Sequence, residues 1–164
     1  MQYNRQGKIK VPPYVAFIVL AGMLIWYVSG GLTVSHNNAA LANAVKAIPE
    51  DVSEVSLNDV VPFEWGAVYT FEPYTTKSEI MELTGLTAGT IAETTSEGQL
   101  QLLFVTADGK EIVASVCGDP SSVGYNVSFP QSAWDGKYAK LTPADNAVFT
   151  VSHENGVVVL TGEQ

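Results

Sequence analysis

The chain of 164 residues contains a single cysteine, Cys117. No disulfide can therefore form within it, and Cys₄ and Cys₂His₂ zinc sites are excluded by count. No cysteine follows the apolar N-terminal segment, so a lipobox is absent too. A reactive thiol needs a basic neighbour, and the charge nearest Cys117 in sequence is Asp119. Cys117 reads as a buried small hydrophobe.

Histidine is nearly as scarce, with only His36 and His153. His36 has no other ligand type nearby and reads as solvated or interfacial. A serine or cysteine nucleophile needs a base held in place by a third group, and apart from His153 nothing can serve. The chain lacks a G-x-S-x-G elbow and a phosphate-cradling glycine loop. Its acids match no calcium loop, and "DPSSVGYN" has no closing glutamate. A two-carboxylate hydrolase is not excluded by count, but no acid stands in an apolar setting that would raise its pKa. The expectation is a protein that is not an enzyme, with no cofactor and no metal site.

Basic residues are few and unevenly placed. Residues 1–35 hold Arg5, Lys8 and Lys10 and no acid; residues 36–164 hold five lysines against all 17 acids, so 5 − 17 = −12. Nucleic acid and anionic lipid headgroups are bound through clustered Lys and Arg, so a domain this acidic is expected to bind no nucleic acid.

Against these absences stands one long uncharged run, "YVAFIVLAGMLIWYVSGGLTV" at 14–34. As a helix it would reach about 31 Å, enough to cross the hydrocarbon core. Lys8 and Lys10 precede it and the next basic residue is Lys46. The positive-inside bias then leaves the N-terminus in the cytoplasm and the acidic part outside, with Trp26 and Tyr27 as interfacial anchors. Pro12 and Pro13 mark the helix start. Small residues in "ALANA" (40–44) offer the alternative of cleavage near Ala42, which would release a secreted form. The expected organisation is a cytoplasmic basic tail at 1–13, a transmembrane signal anchor at 14–34, a helical stalk or linker at 35–59 and an extracytoplasmic domain at 60–164. In the linker, Leu41, Val45 and Ile48 form a thin helical stripe, which also fits a first helix of the domain.

The pattern then turns to short alternating runs. "VVPFEWGAVYTF" (60–71) alternates with period two, placing Phe63, Trp65, Ala67, Tyr69 and Phe71 on one apolar face. Pro73 ends the pairing. Thr76 with Glu79 makes a capping box, Ile80 and Leu83 share one side of the helix that follows, and Gly85 is its natural stop. That helix is expected to fold over the aromatic face. Asp108-Gly109 and Asn155-Gly156 mark two hairpins. Between them, 118–145 reads as a long loop with a short strand at "YNVSF" and a helical turn at "TPAD". The fold class expected is α+β: an N-terminal transmembrane helix followed by a small domain of about five antiparallel strands with a helix packed on one face.

With these segments placed, the domain resembles a family of small bacterial surface lipoproteins and membrane-tethered proteins of uncharacterised function. The likeness lies in Phe63, Trp65, Tyr69, Phe71, Pro73, Tyr74 and Thr75 running into the helix at 77–85, in the hairpin from Leu102 to Val113, and in Lys137, Tyr138, Pro143, Asp145 and Ala147 to Val151. It spans roughly residues 60–160, with the three motifs in order. Relatives usually carry Asp-Lys after the tryptophan, where this chain has Gly66 and Ala67, and many are held by a lipidated cysteine. The resemblance implies location and fold rather than an activity.

The function expected is a single-pass membrane-anchored extracytoplasmic protein-binding module of a bacterial cell envelope. It would touch the bilayer through residues 14–34 and a protein partner outside. The expected contacts are the 118–145 loop and the ends of the 63–74 strand, with Tyr74, Tyr125, Phe129 and Trp134 as candidate binding residues. The alternatives are an accessory subunit of a membrane complex and an exported inhibitor or immunity-type protein.

Overall fold

The structure, a computed structural model, describes residues 31–87 and 90–163. The tail at 1–13 and nearly all of the expected anchor, including Trp26 and Tyr27, lie outside the described residues. Among the described residues no helix is long and apolar enough to cross a membrane. Residues Thr33–Gln164 form one unit of the chain.

Among the described residues nine strands form two sheets, which corrects the expected single sheet of about five. The first sheet joins β1 (Glu54–Ser56), β8 (Val148–Glu154), β9 (Val157–Gly162) and β5 (Tyr125–Ser128), in that order. The second has the order β4 (Ile112–Gly118), β3 (Leu100–Val105), β2 (Ala67–Phe71), β7 (Tyr138–Leu141) and β6 (Trp134–Asp135). Every pairing is antiparallel except β5 with β9, which is parallel. The strands missing from the sequence reading are short or lie in the turn-rich 118–145 stretch, where two to four residues are too few to display a period.

One core lies between the sheets. It gathers Leu102, Phe104 and Ala139 from the second sheet with Tyr125, Phe149 and Leu160 from the first. Leu41, Val45 and Ile48 belong to the same core. The helix α1, described over residues 31–46, that carries the first two thus packs as part of the domain. The stalk expected at 35–59 is corrected accordingly: its apolar stripe is buried, with Leu41 only 2% exposed, and the segment also supplies β1 and the short helix α2 (Leu57–Val60). A spacer has no reason to bury three aliphatic side chains; a packed helix does.

A second core covers the opposite face of the second sheet, where Ala67, Tyr69, Phe71, Leu103 and Val105 meet Ile80 and Leu86. Both faces of β3 are therefore buried, which accounts for the unbroken apolar character of "LLFV". Ile80 belongs to helix α3 (Lys77–Thr84), whose Thr76–Glu79 capping box and left-handed Gly85 terminus form as expected. Leu83, placed with Ile80 by the sequence, is instead 39% exposed.

The 60–71 run is not one strand. Residues 57–60 are helical, and pairing begins only at Ala67. Phe63 and Trp65 turn into the inter-sheet core, edge-on to Phe104 at 5.5 and 5.7 Å, while Tyr69 and Phe71 stack on the far side of the sheet at 6.2 Å. Gly66 is the point of division. A Cβ there would stand 2.2 Å from Ala107 Cα, so only glycine lets the chain pass the β3–β4 turn. Both hairpins form at the expected turns, with Val105 opposite Ile112 and Glu154 opposite Val157. Asn155 and Gly156 both adopt positive φ, as a two-residue turn of this hand requires.

Candidate interaction surface

The 118–145 segment is threaded with short elements rather than left as a loop. Helix α4 (Pro120–Val123) leads into β5, a 3₁₀ turn (Gln131–Ala133) into β6, and β7 into a second 3₁₀ turn (Pro143–Asp145). The second turn is the expected helical turn at "TPAD", closed by a Thr142–Asp145 capping box. Asp145 accepts from the Thr142 N–H at 2.6 Å and from its hydroxyl at 2.8 Å, and these bonds hold its carboxyl below the usual range. Asn58 Nδ2 ties α2 to this turn through Pro143 O at 3.0 Å and Asn146 Oδ1 at 3.3 Å.

These elements bring the ends of β5, β7 and β9 and the start of β8 together at one end of the two-sheet core. Pro130 packs so tightly on Gly162 that a Cβ there would lie 2.4 Å from its ring. The strand ends surround an open depression of about 480 Å³, lined among others by Pro130, Ala133, Leu141, Asp145, Val148 and Glu163. Among the described residues Val148 is one of few large apolar side chains with substantial exposure, at 38%. Lys140 also reaches the rim, but its ammonium stands 5.6 Å from the centre of the Tyr69 ring, a cation–π arrangement.

The four candidate aromatics do not come together. Tyr125 has no exposed surface and Phe129 is buried, its ring edge-on to Phe149 at 6.4 Å. Both are core residues and leave the candidate surface: each belongs to a strand or strand end whose inward positions fill the space between the sheets. Burial pushes the Tyr125 phenol well above its ordinary value. Trp134 is half-buried, packed on the same core beside Ala133. Tyr74 is 58% exposed and lies beyond the far end of β2. Its φ of +66° is rare for an aromatic residue, and its N–H donates to the hydroxyl of buried Thr94 at 3.0 Å.

Sequence reasoning picked the segment that lines the depression but not its key positions. Val148 entered the sequence reading only within the Ala147–Val151 motif and Glu163 not as a contact, because what matters about them is where β8 begins and β9 ends, which no local pattern encodes.

Cys117 is half-buried, and burial, with Asp119 adding to it, raises its thiol. Among the described residues no group of three His, Cys, Asp or Glu side chains is placed to hold a metal ion. No family model, curated protein or solved structure matches the chain.

Proposed function

We propose that this chain is an extracytoplasmic protein-binding module of a bacterial cell envelope, tethered by the apolar segment 14–34. The observation that carries the binding reading is the open depression at the end of the two-sheet core, lined by a mixture of polar and apolar side chains and built largely from the 118–145 segment. A concave, partly apolar surface on a rigid scaffold is where a partner gains most from contact. The charge step from +3 in residues 1–35 to −12 beyond them supports the orientation, acidic domain outward.

Two measurements test the proposal in cells producing the tagged full chain. Protease added to intact protoplasts digests the domain if it lies outside, and complete protection overturns the topology. A photo-crosslinking residue at exposed Ser132, on the rim, gives a discrete adduct that the same residue at exposed Glu97 does not. Identical adduct patterns from both positions overturn the binding surface.

A further inference from the structure

We propose that the depression takes an extended, positively charged segment of a partner protein, which pairs with the free end of β7. The proposal rests on the interaction-module reading and adds the chemistry of the partner.

The first ground is an unfinished edge. On its β2 side β7 is paired along its whole length, Tyr138 to Leu141. On its β6 side pairing stops at Ala139 opposite Trp134, because the chain before Trp134 coils into the 3₁₀ turn Gln131–Ala133 instead of continuing the strand. Lys140 and Leu141 thus have no strand beside them there, and both line the depression. An extended peptide laid in it continues the line that β6 abandons, the strand-addition mode of recognition.

Two other edges are occupied. Asn38 on α1 covers β4 by bonding both the N–H and the C=O of Ser115. On β5 the Asn126 side chain accepts the Val127 N–H at 3.0 Å. Side chains that satisfy outward backbone groups keep a strand from recruiting another chain; beside the end of β7 stands only the 3₁₀ turn Gln131–Ala133, which touches β7 without pairing as a strand.

The second ground is charge. Asp145 and Glu163 border the depression against one cation, Lys140, whose ammonium stands 5.6 Å from the centre of the Tyr69 ring and whose charge also acts on Asp145, so acid exceeds base there. The domain around it carries 17 acids against five lysines beyond residue 35, a field that concentrates cationic segments and repels acidic ones. It also disfavours a second copy of this domain, which would bring the same excess of acid. Exposed Val148 and half-buried Ala147 give apolar contact to side chains of the guest, while Leu141 and Pro130 are themselves buried. Backbone groups alternate sides along β7, and those of Leu141 face Val68 in β2, so only Lys140 turns its N–H and C=O to the free side. Main-chain bonds are therefore few, and affinity depends on charge and falls with added salt.

The test uses the full chain in neutral detergent and two fluorescent octapeptides, one alternating valine with lysine and one alternating valine with glutamate. Fluorescence anisotropy is expected to detect the lysine peptide alone. The pair Val148→Lys and Glu163→Lys is expected to weaken it by about tenfold or more. The pair Glu82→Lys and Glu97→Lys, exposed and away from the depression, changes net charge at least as much and is expected to leave affinity within about twofold. Equal binding of both peptides, or equal loss in both double variants, overturns the proposal. If it fails while the Ser132 adduct in cells persists, the module reading stands and only the partner chemistry falls.

Discussion

Asn38 and Ser115 are joined as two paired strand residues would be. Asn38 Nδ2 donates to the Ser115 carbonyl at 2.7 Å, and its Oδ1 accepts the Ser115 N–H at 2.9 Å. Next to it, Asn37 Nδ2 donates to the Val113 carbonyl at 2.8 Å. A helix thereby closes the edge of a five-stranded sheet.

Asn38→Ala is expected to cost about 1–3 kcal/mol, two hydrogen bonds lost together, and to leave β4 open to other chains. Urea denaturation measures the first effect and sedimentation velocity at rising concentration the second. Unchanged stability with no self-association would show that the edge needs no cover.

At Tyr74 the backbone is in the left-handed region, which costs a side-chain-bearing residue about 1–2 kcal/mol. The ring is more than half exposed and returns little of that. Tyr74→Gly is therefore expected to melt no lower than the parent, while Tyr74→Val, β-branched at positive φ, melts several degrees lower. A glycine variant as unstable as the valine one would show that the ring packs more than its exposure implies.

Tyr125 presents the opposite imbalance. Its hydroxyl is buried and has no hydrogen-bond partner. Phenylalanine at this position keeps the ring and removes the desolvated group, so the denaturation midpoint is expected to rise by the equivalent of about 1–3 kcal/mol. A fall in the midpoint would mean that the hydroxyl is satisfied in solution.

Glu79 links acid stability to one helix start. The Thr76 N–H, then Lys137 at 3.0 Å and the Thr76 hydroxyl, bring its pKa from the ordinary 4.5 down to about 2. A carboxyl lowered on folding stabilises the fold above its unfolded pKa, and that contribution fades as pH falls from about 4.5 to about 2. The urea midpoints of the parent and Glu79→Gln should therefore differ above pH 4.5 and converge near pH 2. A difference that stays constant through this range would refute the linkage.

What could be read from the sequence was local. The Thr76 box, the Asp108-Gly109 and Asn155-Gly156 turns and the "TPAD" turn each form within a few residues, by rules that need no partner. Partnership was harder to read. Phe63 and Phe71 share a period of two, yet Gly66 sends them to different cores, because the constraint at Gly66 comes from Ala107, distant in sequence. Leu41, Val45 and Ile48 formed a visible stripe, but nothing local told stalk from first helix. Of the candidate aromatics, Tyr74 was exposed in the turn after β2, whereas Tyr125, in β5, and Phe129, just past its end, were hidden in the core that the parallel pairing of β5 with β9 helps to form and that no hairpin signal announces. The depression is the product of four strand ends and was legible in none of them.

The parallel β5–β9 pair has a consequence for the order in which the fold is made. In the second sheet β2, β3 and β4 follow one another and pair in turn. The first sheet instead gathers residues 54–56, 125–128 and 148–162. Contacts so distant in sequence form late, after the loops between them have been closed. During synthesis the inner faces of α1 and β3 would then wait, uncovered, for the final hairpin. A chain stalled before residue 148 would carry a nearly complete second sheet with one apolar side bare, the state most open to proteases and chaperones.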